Sequence, residues 1–198
     1  MPSPAPESRR WPTPRATRSP RPWSRSPTAH RRCRVPRNET GNVTLPADTQ
    51  AVSTNEGVVV RHAVTLEWGD CDPAGIIYYP TYFKWWDQGT WRLFWAAGID
   101  RRLMLEEMDG VDTPILNATG TFESTVTPGE ILVVESRVER WGNSSFKVVH
   151  RALTPDGKTV AHGHETRCWT KNSPSSPGKL KAERIPDDII ARMGGKRA

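Results

Sequence analysis

From Val58 the chain alternates between apolar and polar positions. In VVVRHAVTLEW, Val58, Val60, His62, Val64, Leu66 and Trp68 fall on one face at period two, and Arg61, Thr65 and Glu67 on the other. That is the pattern of a half-buried strand. Residues 69–80 interrupt it with Gly and Pro and read as a loop. From Tyr82 to Ala97 the period changes. Tyr82, Phe83, Trp86, Leu93, Phe94 and Ala97 recur at three- and four-residue steps, which predicts an amphipathic helix with Gly98 just past its end. Strands are then predicted over 111–126, 130–141, 144–154 and 158–170, joined by the turns TPGE, WGN and TPDGK. In SFKVVHRAL, Phe146, Val148, His150 and Ala152 alternate with Lys147, Val149, Arg151 and Leu153. KNSPSSPGK reads as a loop, and PDDIIARM as a short last helix with Pro186 near its start.

One apolar helix against antiparallel strands predicts an α+β two-layer domain. Tryptophan stands at 85, 86, 91 and 95. Trp85, Trp91 and Trp95 lie off the Tyr82/Trp86/Leu93 stripe, so a second layer or a second subunit is expected to cover them. Gly89 in mid-helix costs about 1 kcal/mol relative to Ala, and close passage of another backbone is expected to offset it.

Charge changes the picture at the N-terminus. The 198 residues carry a net +6, but residues 1–40 hold ten Arg, no Lys and two Glu, a net of +8. The folded part is therefore slightly acidic, and a nucleic-acid surface is not expected. The Pro-, Ser- and Arg-rich stretch lacks apolar periodicity, so residues 1–57 read as a disordered extension and 58–198 as the domain. It has no secretory core, and no run of 18 apolar residues predicts a membrane span. Cys33, Cys71 and Cys168 form no paired spacing, so a cytoplasmic protein without disulfides is expected.

The candidate chemistry is concentrated in GDCDPAGIIYYPTYFKWWD. Pro73 stiffens the chain behind Asp72, and Gly75 permits an unusual backbone angle. The next helix begins with free N–H groups and a positive dipole end. A carboxylate beside such amides suits attack on a polarised carbonyl. Asp70 reads as structural. Cys71 has no nearby His to activate it and reads as a small buried thiol. His162 and His164 share a strand face, but a third zinc ligand is not evident, so no metal is expected.

This stretch resembles the signature of 4-hydroxybenzoyl-CoA thioesterases, in the branch with its acid just before the helix, and DTPILNATGTFESTVTPGEIL resembles that branch's second block. The resemblance spans Val58 to Ile190. It implies a hot-dog fold, a long helix wrapped by an antiparallel sheet, in dimers with a continuous sheet that associate again into tetramers. It implies hydrolysis of an aromatic acyl-CoA, with no cofactor beyond the CoA of the substrate. It assigns attack or water activation to Asp72 and oxyanion binding to the Tyr79 amide. Asp87 would reach the distal end of the acyl pocket and accept a hydrogen bond from a ring hydroxyl. Trp86 and its neighbours would sandwich the ring, and Thr113 would line the opposite wall. Lys179 and Lys181, with Arg140 and Lys147, are candidates for the CoA phosphates. WGNSS departs from the basic cluster that relatives carry there. A short-chain aliphatic thioesterase and a non-catalytic acyl-CoA-binding protein remain alternatives on the same fold.

Overall fold

A computed structural model describes residues 44–108, 111–173 and 176–198. The main sheet has six strands in the order β1-β2-β4-β5-β6-β3, every neighbouring pair antiparallel. They are β1 (Thr49–Thr54), β2 (Gly57–Thr65), β3 (Ile115–Phe122), β4 (Ile131–Trp141), β5 (Ser145–Leu153) and β6 (Thr159–Cys168). Helix α1 (Pro80–Ala96) lies against one face. On β2 and β5 the buried positions are among those the alternation marks, Val60, His62 and Leu66 on β2 and just after it and Phe146, Val148 and His150 on β5, and on β4 between them Leu132 and Val134 are buried too. Full burial of such an apolar side chain is worth about 1.5–3 kcal/mol, so this shared phase fixes the strand register.

Two apolar clusters divide the core along the helix. Leu93 and Phe94 pack with Val60, Val148 and Trp169 at one end, and Tyr82, Trp85 and Trp86 with Leu66, Leu132 and Val160 at the other. Trp85 is therefore covered within its own chain, at 4% exposure, and needs no second subunit. Gly89 does mark a close approach, but to a side chain: an added Cβ would overlap the Ser136 hydroxyl on β4.

Three elements depart from the sequence reading. The ordered chain starts ahead of Val58, because β1 pairs with β2 from Thr49↔His62 to Thr54↔Gly57. Residues 1–43 of the expected extension lie outside the described residues. The segment expected as a loop after Thr170 contains β7 (Thr170–Ser173) and β8 (Ser176–Ala182), an antiparallel pair. Trp68, expected on the inward face, is 80% exposed, because the chain leaves β2 at Thr65 and turns into a 3-10 segment at Trp68–Asp70. The last helix, α2 (Asp187–Arg192), follows Pro186 as expected. Among the described residues no helix is long and apolar enough to cross a membrane.

Candidate active site

The turn before α1 is folded back on itself. The Asp72 N–H donates to the Ile76 carbonyl at 2.9 Å and the Gly75 N–H to the Asp72 carbonyl at 2.9 Å, with Cys71 and Ile77 bridged as in a short antiparallel pair. Gly75 closes the turn at φ 76°, a conformation that favours glycine. The half-buried Asp72 side chain accepts the Ala74 N–H through Oδ1 at 2.8 Å. Behind it, the Tyr78 N–H and the Thr81 hydroxyl donate to the Asp70 carbonyl at 2.8 and 3.3 Å, which ties the turn to the helix start. Pro80 occupies the first helical position, where its missing N–H costs nothing. Among the described residues the Tyr79 N–H has no backbone acceptor. A carboxylate and a free amide thus leave opposite ends of one short turn, at the positive end of α1.

Two turns further along α1, a polar chain runs under the helix. Arg167 on β6, 3% exposed, donates through Nε to Glu165 Oε2 at 2.9 Å, through Nη1 to the Thr113 carbonyl at 3.2 Å, and through Nη2 to Asp87 Oδ1 at 2.5 Å. Glu165, 1% exposed, also accepts the Thr90 hydroxyl at 2.9 Å. His150 Nε2 stands 3.7 Å from Glu165 Oε2, too far for a good hydrogen bond but close enough for charge interaction, while its Nδ1 shares a 2.8 Å hydrogen bond with Ser136. Burial lowers the His150 pKa against the pull of Glu165, so the ring is neutral. Burial alone would raise the Glu165 pKa, but His150 and Arg167 together outweigh it and lower it.

The structure sets Asp72 and Tyr79 at the two ends of one turn, and links Asp87 to the Thr113 carbonyl through Arg167. It treats the other expected residues differently. Trp86 is fully buried, with its ring stacked on His150 at a centroid distance of 5.6 Å, and it presents no surface to a ligand. Its indole lies over Gly163 and Gly120, where a Cβ on Gly163 would overlap it. Aromatic residues on the core stripe of a helix face the sheet, and this one fills the gap that the two glycines leave. Thr113 is 2% exposed, and its hydroxyl has no partner among the described residues. Lys179 and Lys181 are exposed on β8, outside the six-stranded sheet, and Lys181 pairs with Glu183 at 3.1 Å. His162 and His164 share an outward face as expected, each bound at 2.8 Å to a neighbour, Glu123 and Thr119. A groove of about 830 Å³ on the sheet is lined by these histidines with Glu135, Arg137 and Arg151 and by Lys147, one of the candidates for the CoA phosphates, but not by Asp72, Tyr79, Asp87 or Thr113. Glu165 and Arg167 escaped the sequence reading. Their signal was present: two opposite charges two apart on a strand, in phase with the inward Ala161, a placement that costs energy unless they are paired.

The family model described as the thioesterase-like superfamily matches residues 66–193. The 4-hydroxybenzoyl-CoA thioesterase of Pseudomonas sp. (strain CBS-3) is 32% identical over 130 residues, which are 63% of this chain and 90% of that protein. A solved structure of the enzyme from that strain superposes with a TM-score of 0.61 at 29% identity, covering 68% of this chain and 98% of the other. The 1,4-dihydroxy-2-naphthoyl-CoA thioesterase of Synechocystis shares the fold at a TM-score of 0.59 and 12% identity, covering 68% and 94%. The chain belongs to the thioesterase-like superfamily and, within it, to the 4-hydroxybenzoyl-CoA thioesterase family with its hot-dog fold.

Proposed function

We propose that this thioesterase hydrolyses an aromatic acyl-CoA of the hydroxybenzoyl type to the free acid and CoA. The observation that carries the reading is the turn that presents Asp72 and the unengaged Tyr79 N–H from one segment. The thioester carbonyl oxygen accepts the Tyr79 N–H, and the helix dipole favours the negative charge that gathers there. Asp72 attacks the carbonyl carbon or takes a proton from the water that does. The carbon–sulfur bond then breaks, and the CoA thiolate leaves and is protonated; where Asp72 itself attacked, water then cleaves the resulting anhydride, which releases the acid and restores the carboxylate. No cofactor is needed beyond the CoA already in the substrate.

Asp87 is the acceptor for the distal ring hydroxyl, with Thr113 on the far side of the same ion pair. The CoA phosphates are assigned to exposed cations, with Lys179 and Lys181 first. A second copy is expected to complete the site. β3 is an edge strand that leaves Ile115, Leu116 and Phe122 at 46%, 62% and 46% exposure, a surface suited to pairing with its own copy. Sedimentation equilibrium tests this, and a monomer at micromolar concentration overturns it. The substrate is tested by steady-state kinetics on 4-hydroxybenzoyl-, benzoyl-, phenylacetyl- and butyryl-CoA. The highest kcat/KM is expected on the hydroxylated aromatic. A maximum on butyryl-CoA assigns the site to short aliphatic chains, and tight binding without turnover removes the enzymatic reading.

A further inference from the structure

We propose that Arg167 is a positioning residue that, braced by Glu165, fixes how Asp87 faces the acyl group and so sets the preference for an acyl group ending in a hydrogen-bond donor. This rests on the aromatic acyl-CoA activity proposed above. The geometry is an asymmetric ion pair. The cation is inside, with the Arg167 side chain 3% exposed, while the carboxylate is at the surface, with the Asp87 side chain 45% exposed. An incoming group therefore meets the oxygen and not the guanidinium. An ordinary surface pair would leave both partners reachable and both mobile.

Arg167 cannot swing away from this arrangement. Its fork is held on Glu165 Oε2 by Nε at 2.9 Å and Nη2 at 2.8 Å, and on the Thr113 carbonyl by Nη1 at 3.2 Å. Glu165 is itself pinned by the Thr90 hydroxyl at 2.9 Å. The guanidinium thus ties α1, β6 and the chain entering β3, the elements that carry Asp87 and Thr113. A lysine could not do this, because one ammonium lacks the planar fork that meets these acceptors together. The charge balance points the same way. Two carboxylates, Asp87 and Glu165, share one guanidinium beside a neutral His150, which leaves the exposed end rich in acceptors. Such an end favours a hydroxyl and opposes an acyl group that ends in a carboxylate.

A purely structural Arg167, present only to neutralise Glu165, predicts equal losses on all substrates. The test compares the wild-type enzyme with Arg167→Lys and with the double variant Glu165→Gln/Arg167→Met, which removes both buried charges together. For each, kcat and KM are measured on 4-hydroxybenzoyl-CoA and benzoyl-CoA, with thermal melting as the check on folding. In both variants the kcat/KM ratio of the hydroxylated to the plain substrate is expected to fall by about ten-fold or more, while efficiency on benzoyl-CoA stays within about three-fold. Arg167→Lys keeps a cation beside Glu165 and decides the case alone if the double variant does not fold. If neither folds, the residue is structural and the proposal falls. A folded variant that keeps the wild-type ratio, or loses both substrates equally, overturns the assignment of Arg167 alone. A wild-type enzyme with no preference for the hydroxyl overturns the substrate reading first, and the proposal with it.

Discussion

Asp72 and Asp87 are held by different means, and that difference suits the separate roles proposed for them. Among the described residues the Asp72 side chain hydrogen-bonds only within its own turn, to the Ala74 N–H at 2.8 Å, and its second oxygen is left without such a partner. Asp87 is held by a buried guanidinium and is suited to recognition. Asp72→Asn is expected to keep the fold and substrate binding, because the amide oxygen can still accept the Ala74 N–H. It should lose about 10²-fold or more in kcat, since an amide is neither a base nor a nucleophile. Asp70→Asn is the control. Among the described residues its side chain accepts only the Glu67 N–H, at 3.2 Å, and the carbonyl that binds Tyr78 is untouched by the substitution. Comparable kcat losses in the two variants would show that the turn, and not the Asp72 carboxylate, was damaged. At this scale the motif marked the turn that carries Asp72 and Tyr79, which closes on itself just ahead of α1. Trp86 was misread, because the cradle that receives it is built by Gly120 and Gly163, far along the chain.

At the scale of elements, α1 and β4, β5 and β6 were readable because each buries one regular face, so side-chain periodicity reports the backbone. β1 and the β7–β8 pair were not. Only Thr49 of β1 is buried, and TQAVST offers no apolar alternation, so the strand is held by its ladder to β2 and by Arg92. Arg92 donates to the Thr49 hydroxyl at 2.9 Å and pairs with Asp48 at 3.3 Å. Two truncations separate extension from strand. Removal of residues 1–43 is expected to leave melting temperature and turnover unchanged. Removal of 1–57 also deletes β1, bares the β2 edge and leaves Arg92 without these partners, so it should lower the melting temperature by several degrees, as expected for about 1–2 kcal/mol in a domain of this size. Equal melting temperatures would show that β1 adds nothing to stability.

At the scale of the whole molecule, the core carries uncharged histidines, and they set how the fold answers to acid. His62 is fully buried between β2 and α1, and neither ring nitrogen has a partner among the described residues. Burial is the main cause that pushes its pKa from 6.5 down to about 4; Arg92 and His150 add to this and Asp48 opposes it. The unfolded chain therefore takes up a proton near pH 6.5 that the folded chain refuses until about pH 4, so stability falls as pH falls through that window. The lowered pKa of Glu165 extends the loss to more acid values, because its stabilising charge disappears as pH drops below its ordinary range. His62 alone is expected to remove about 2 kcal/mol between pH 7 and pH 5. Urea unfolding at the two pH values measures this, with His62→Leu as the comparison. The leucine is close in volume and breaks no hydrogen bond, so at pH 7 the variant should be at least as stable as the wild type. At pH 5 it should be the more stable of the two, with a shallower dependence on pH. If both proteins lose the same free energy between pH 7 and pH 5, the acid response belongs to other groups and His62 is not the residue that limits the fold.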